Sequence, residues 1–284
     1  MIKGLGTALI TPFDANGNVD YEALARLLDT QLTGSVDYIV VLGTTGEAVT
    51  MTEKEREDVR TFIRKYVNGR LPLVLGVGGN CTAAVCESLR TMDLSGFEAI
   101  LSVCPYYNKP NQEGLYQHFC KIAEASPVPV ILYNVPGRTG VNLLPETVIR
   151  IWKAHPDKII GIKEASGNID QIKHLIDLKL SIVHCQLSII SGDDGIACEV
   201  MEAGGAGLIS VASNAFPEDF RHIVHDKDRA LQAKYEEMVR LLFAEGNPVG
   251  IKAVLAQKGI IQNYLRLPLV PASEELQRKL KIEN

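Results

Sequence analysis

A (β/α)8 barrel of the TIM type with a C-terminal helical extension is the fold this sequence predicts. Three observations carry it. Short apolar runs, each closed by glycine, proline or polar residues, recur eight times along the chain. Their spacing of roughly 20–35 residues leaves room for one helix in each gap. Most runs also lack the polar alternation of a half-exposed strand, as strands buried on both faces of a parallel sheet do. An open doubly wound sheet is the alternative. It is weaker because no G-x-G-x-x-G follows the first run, and because eight parallel units close naturally.

The strands are expected at residues 6–11, 38–42, 73–77, 99–103, 130–134, 159–163, 187–191 and 207–211. The first helix is expected over 20–32, where Leu24, Leu27, Leu28 and Leu32 recur close to the 3.6-residue period. Thr52-Glu53-Lys54-Glu55 has the form of a capping box and opens the second. Further helices are expected over 81–94, 112–125, 145–154, 168–178 and 194–203, several of them opened by Asn, Pro or Asp. After Phe216-Pro217 the alternation stops, and 218–245, 247–263 and 273–280 read as helices. The chain therefore divides into a catalytic barrel over 1–220 and a helical extension over 221–284, too short to hold a second core of its own.

Composition narrows the function. The chain has 284 residues, 46% of them hydrophobic and 22% charged, with a net charge of -5. That is an ordinary globular composition, and its sign argues against nucleic acid or an anionic membrane as the main partner. No apolar stretch approaches the roughly 18 residues of a membrane span. The first eight residues carry one charge and are too weak for a signal peptide, which predicts a cytoplasmic protein. The six cysteines are Cys81, Cys86, Cys104, Cys120, Cys185 and Cys198. They form no C-x-x-C pair and read as reduced core residues.

In a barrel of this kind chemistry sits where strands hand over to helices. Lys163 ends a strand that should be buried. Burial of an ammonium is costly and favours the neutral amine, which attacks ketones to form a Schiff base and then stabilises a carbanion as an enamine. A lysine that snorkels to water remains the alternative on position alone. Tyr133 closes the preceding strand; its phenol could move protons, or it could be a core aromatic with a wet tip. Thr44 and Thr45 lie in a glycine-bracketed turn whose hydroxyls and backbone N–H groups suit a carboxylate, although an ordinary turn has the same letters. Arg138, in Pro136-Gly137-Arg138-Thr139-Gly140, could grip a carboxylate in bidentate fashion or simply be solvated. Co-location of these groups at strand ends favours the chemical readings.

Other motifs fail. Asp14-Ala15-Asn16-Gly17-Asn18 resembles a calcium loop, but its glycine is misplaced and its twelfth position is Ala25. Asp193 and Asp194 read as caps of the following helix. The histidines are not gathered at strand ends, which argues against a zinc-dependent aldolase, so no metal site is expected. Gly204-Gly205-Ala206-Gly207 lacks the basic residue a phosphate cradle would bring.

Together these junctions resemble the dihydrodipicolinate synthase / N-acetylneuraminate lyase family of pyruvate-dependent class I aldolases. The resemblance runs over nearly the whole chain, and its specific stretches are 43–47 and 133–140 with Lys163 beyond. Pro105-Tyr106-Tyr107-Asn108-Lys109-Pro110 and the Arg138 loop place it with the synthases of the family rather than the sialic acid lyases. A sugar-acid aldolase and a catalytically silent barrel are the remaining alternatives. The resemblance implies condensation of pyruvate with L-aspartate 4-semialdehyde, in diaminopimelate and lysine biosynthesis, with no cofactor. It implies that Lys163 forms the imine and that Tyr133, Thr45 and Tyr107 relay protons, Tyr107 reaching in from a neighbouring subunit. It also implies that Thr44 and Thr45 hold the pyruvate carboxylate, that Arg138 binds the semialdehyde carboxylate, and that the backbone of Gly192 and Ile209 lines the lysine pocket. The implied assembly is a homotetramer, a dimer of dimers. Asn80 and Tyr106 match the family's allosteric lysine site, but Ala84 stands where a carboxylate is usual, and Glu53 and Arg56 where histidines are common. Feedback by L-lysine is therefore expected to be weak or absent, unless Glu53 substitutes for the missing carboxylate.

Overall fold

The computed structural model describes residues 2–281. Its strands are β1 Gly4–Ala8, β2 Tyr38–Val41, β3 Leu73–Gly76, β4 Ala99–Val103, β5 Val130–Asn134, β6 Ile159–Glu164, β7 Ser188–Ser191 and β8 Gly207–Ser210. They are hydrogen-bonded in chain order as a closed barrel, the predicted (β/α)8 fold. Every residue of β1, β2, β5, β7 and β8 is buried, as the unalternated apolar runs require. The helices are α1 Tyr21–Thr33, α2 Glu53–Val67, α3 Thr82–Thr91, α4 Gln112–Ala125, α5 Pro136–Thr139, α6 Pro145–Ala154, α7 Ile169–Leu180, α8 Ala197–Glu202, α9 Pro217–His225, α10 Arg229–Leu242, α11 Val249–Gln257 and α12 Glu274–Lys279. The chain forms two compact units, one over Leu73–Ile209 with the first residues of the chain, the other over Leu5–Pro72 and the chain from Ser210 onward.

In the Leu73–Ile209 unit, the decisive detail is a register shift between β5 and β6. Val130 pairs with Ile159, but Ile131 pairs with Gly161, so Ile160 is the extra residue of a bulge. Side chains alternate across a strand, and a slip of one residue would turn the end of β6 over. With the bulge in place, Tyr133 stands opposite Lys163 and Asn134 opposite Glu164. Gly161 permits this: a Cβ there would lie 2.8 Å from the Ser188 carbonyl oxygen.

The second unit corrects several predicted boundaries. The first strand is Gly4–Ala8, not 6–11. Leu9 and Ile10 do stay buried, and Leu9 N still donates to the Val40 carbonyl at 3.1 Å, but the Ala8 carbonyl and Ile10 N–H pair with an asparagine side chain in place of a strand. Asn214 Nδ2 donates to the Ala8 carbonyl at 2.8 Å, and its Oδ1 accepts from Ile10 N at 3.1 Å. The predicted helix 218–245 is two helices, α9 and α10. Lys227 is left-handed at φ 55, and Asp228 caps α10 by accepting from Leu231 N at 2.9 Å. The segment 247–263 is helical only over Val249–Gln257 and stops before Gly259, at φ 71. In the first unit the predicted helix 81–94 ends at Thr91, and 194–203 is a single tight turn followed by α8, with Asp193 capping the turn at Gly195 N. The cysteines are all free. Cys86, Cys104, Cys120 and Cys198 are buried as expected, whereas Cys81 is exposed and Cys185 half-buried.

The capping box that opens α2 is present. Thr52 Oγ1 accepts from Glu55 N at 3.2 Å, and Thr52 N donates to Glu55 Oε2 at 2.8 Å. Glu55 also receives the Arg266 guanidinium, and hydrogen bonds from Arg266 and then Thr52 hold its carboxyl down at about 2. A carboxyl lowered on folding adds stability that is complete above its ordinary value near 4.5 and disappears as pH falls from there through about 2. Glu55→Gln should therefore lower Tm at pH 6 and leave it close to wild type below pH 2. Calorimetry across that range checks this, and an equal loss at both ends would refute it.

Candidate active site

Within the Leu73–Ile209 unit, β5 and β6 bring two of the predicted groups together. Lys163 is 6% exposed, and so is Tyr133. The Lys163 Nζ lies 4.4 Å from the centroid of the Tyr133 ring, within range of the ring's negative face. Gly192 follows the last residue of β7, and a Cβ there would stand 2.8 Å from Lys163 Cε and 2.6 Å from Ala165 Cβ. Only glycine leaves the lysine stem its path. Ile209 is buried in β8, one residue beyond Leu208, the register partner of Ser191.

Arg138 sits on the single turn α5, exposed. Gly140, left-handed at φ 74, ends that turn. A Cβ on Gly140 would meet Lys109 Cε at 3.1 Å, so the 105–110 loop lies against the arginine loop. In the former loop Tyr107 is 90% exposed and left-handed at φ 74. For an aromatic residue that conformation costs on the order of 1–3 kcal/mol. Hydrogen bonds on either side hold the loop: Asn80 Nδ2 donates to the Tyr106 carbonyl at 3.2 Å, and Asn108 Nδ2 to the Asn80 carbonyl at 3.0 Å. Asn80 and Tyr106 are thus in contact, while Ala84 is exposed on α3.

In the other unit, Thr44 and Thr45 open a tight turn three residues past the end of β2. Thr44 is exposed and Thr45 buried. Asn247 Nδ2 donates to Thr45 Oγ1 at 2.9 Å, which fills a lone pair and leaves the threonine proton free to be donated elsewhere. Glu47, left-handed at φ 53, ends the turn. It forms an ion pair with Lys252 of α11 in which both side chains are buried, and its Oε2 accepts from Arg266 N at 3.2 Å. Burial pulls the Lys252 amine down to about 8 despite the opposing pull of Glu47. Glu53 is engaged on α2 by Arg56 at 2.6 Å and Arg60 at 3.2 Å; those partners outweigh its partial burial and lower its pKa.

Three groups escaped the sequence reading. Asn247 and the Glu47–Lys252 pair join residues about two hundred positions apart, and no spacing rule connects them. Glu164 was within view as the neighbour of Lys163. Two charged residues in succession at the end of a buried strand were the available clue, because alternation forces one of them to the far face.

A buried primary amine packed on a phenol ring, with an arginine on the loop that follows the tyrosine's strand, can capture a keto acid as an imine and move protons at the adjacent carbon. The family model described as the dihydrodipicolinate synthetase family matches residues 1–283. A 4-hydroxy-tetrahydrodipicolinate synthase of Parabacteroides distasonis is 50% identical over 277 residues, 95% of this chain and 92% of that protein. The crystal structure of dihydrodipicolinate synthase from Thermotoga maritima superposes with a TM-score of 0.94 at 41% identity, covering 99% of this chain and 96% of that one. A chain described as the first monomeric dihydrodipicolinate synthase variant matches with a TM-score of 0.93, also at 41% identity, over 98% and 94% of the two chains.

Proposed function

This chain belongs to the dihydrodipicolinate synthetase family, and from that premise we propose how its residues work. The reaction is that of a 4-hydroxy-tetrahydrodipicolinate synthase, a lyase-type condensation of pyruvate with L-aspartate 4-semialdehyde in diaminopimelate and lysine biosynthesis. The observation that carries the assignment of roles is Lys163, buried at the end of β6 with its amine against the Tyr133 ring.

Lys163 Nζ attacks the keto carbon of pyruvate, and loss of water leaves the imine. Removal of a methyl proton moves the electron pair into the enamine, with the protein nitrogen as electron sink. The enamine carbon attacks the aldehyde carbon, whose oxygen takes a proton and becomes a hydroxyl. The amino group of the semialdehyde then attacks the imine carbon, closes the ring and expels Lys163 as a free amine. Tyr133, Thr45 and Tyr107 carry the protons. Thr44 and Thr45 hold the pyruvate carboxylate, Arg138 the semialdehyde carboxylate, and the backbone of Gly192 and Ile209 lines the lysine pocket. Residues 1–220 are assigned to the catalytic barrel and 221–284 to its helical extension, of which residue 1 and residues 282–284 lie outside the described residues.

The exposure of Tyr107 supports a second copy of the chain covering it, in a homotetramer built as a dimer of dimers. Sedimentation velocity measures this. Among the described residues no helix is long and apolar enough to cross a membrane, and we place the enzyme in the cytoplasm. Turnover of pyruvate with the semialdehyde, and an irreversible mass gain on Lys163 when borohydride is added with pyruvate, test the reading. Turnover with N-acetylmannosamine instead would assign the chain to the lyases.

Regulation follows from Ala84 and Glu53. A methyl group cannot pair with a ligand amine, and the Glu53 carboxylate is already shared by two arginines. Inhibition by L-lysine is expected to be absent or to need more than about 1 mM, roughly 4 kcal/mol of binding. A steady-state titration that reached half-inhibition well below that concentration would reject it.

A further inference from the structure

The far face of β5 and β6, opposite Lys163 and Tyr133, carries a buried polar network that the reaction itself does not use. Asn134 is fully buried and Glu164 is 1% exposed. Among the described residues, the hydrogen-bond partners of the Glu164 carboxylate are all donors. Asn134 Nδ2 lies 2.9 Å from Oε2, Gln171 Nε2 of α7 lies 3.2 Å from the same oxygen, and the backbone N–H of Ser166 lies 2.8 Å from Oε1. Asn134 cannot turn its amide over, because its Oδ1 accepts from Leu143 N at 2.9 Å. Its Nδ2 also reaches Asn142 Oδ1 at 2.7 Å. Asn142 Nδ2 donates in turn to Gln171 Oε1 at 2.7 Å. The Asn134–Asn142 contact closes the base of the loop 135–141, which carries Arg138.

We propose that Glu164 is a positioning residue: as the shared acceptor of β5, the turn after β6 and α7, it fixes the strand ends that bear Lys163 and Tyr133 and, through Asn134 and Asn142, the placement of the Arg138 loop. The inference rests on the roles given above to those three residues. Bulge register and network act together. The bulge pairs Tyr133 with Lys163, and the network prevents that pairing from slipping. Burial raises the pKa of Glu164, and the donors of Asn134, Ser166 and Gln171 oppose that rise.

Glu164→Gln keeps the shape but turns one acceptor into an NH2 facing other donors. A misplacement near 1 Å can cost up to about 100-fold in rate. The expected result is trapping of pyruvate by borohydride slowed at least ~10-fold per folded molecule, with KM for the semialdehyde raised ~10-fold. Asn142→Ala, at a half-buried position, removes the loop closure and the bonds between Asn142 and Gln171, but leaves the donors of Asn134, Ser166 and Gln171 on the Glu164 carboxylate. It should raise KM for the semialdehyde about as much as Arg138→Ala does while pyruvate is trapped at the wild-type rate. Tm is measured for each variant. A fall in Tm for Glu164→Gln with unchanged trapping and unchanged KM values overturns the proposal, because the residue would then be structural only. Should Glu164→Gln not fold, Asn142→Ala decides, and an unaltered KM for the semialdehyde there overturns it equally. Failure of the wild-type enzyme to trap pyruvate would instead count against the functional reading.

Discussion

Lys163→Ala is expected to abolish the borohydride-dependent pyruvate adduct and to lower kcat/KM by on the order of 10⁴-fold or more, the scale seen when a covalent nucleophile is removed. The fold should survive the change. The removed side chain is a buried amine, and what is left behind is space beside the Tyr133 ring and Gly192, not an unpaired charge. Lys163→Arg should be as inactive as the alanine variant. A guanidinium stays cationic at any working pH and is no nucleophile toward a ketone. A merely electrostatic role for Lys163, holding a substrate carboxylate, predicts the opposite ordering, with arginine restoring most of the rate. The two variants together therefore separate covalent from electrostatic catalysis. Retention of turnover within about 10-fold in Lys163→Ala would end the Schiff-base mechanism for this chain.

The parts legible in the sequence are those encoded locally. The apolar runs of β2 to β8 announce themselves because a strand buried on both faces lacks the regular polar alternation of a half-exposed one. Lys163 stands out because a charge at the end of such a strand needs a reason. Thr52 and Glu55 are three residues apart and write their capping box in the chain. What was missed depends on distant partners or on competing local bonds. Nothing near Ala8 says that Asn214 will replace a neighbouring strand and end β1 early. Asp228 lies inside a convincing helical pattern, and its ability to cap α10 breaks that pattern. The bulge at Ile160 is silent in the sequence, yet it decides which face of β6 the lysine occupies. The resemblance supplied roles for Tyr107 and Arg138 that exposure and loop position alone left open.

The Glu47–Lys252 pair should produce the largest stability effect. Lys252→Met removes an ammonium that is fully buried, together with its hydrogen bond to the Tyr264 carbonyl at 3.0 Å and its contact with the Phe13 ring at 4.2 Å. The Glu47 carboxylate then stays buried and, among the described residues, keeps the backbone N–H of Arg266 as its direct donor. Breaking one side of a buried pair typically costs about 3–5 kcal/mol, whereas replacing both sides with neutral groups of similar volume is often close to neutral. The expectation is a loss of about 3–5 kcal/mol for Lys252→Met, on the order of 10 °C in Tm, with much of it recovered when Glu47→Gln is added. Chemical denaturation of the two single variants and the double variant closes the cycle. The consequence reaches catalysis because α11 and the residues before it secure the Thr44–Thr45 turn twice, Asn247 at the Thr45 hydroxyl and Lys252 at Glu47. Lys252→Met should therefore slow turnover even at temperatures where the protein is fully folded, and it should do so through the proton relay, with kcat falling more than KM rises. If the single variants were as stable as wild type, the pair would not be the anchor of that turn. Asn247 alone would then have to keep Thr45 in place, against the pull of a turn that ends in a left-handed glutamate.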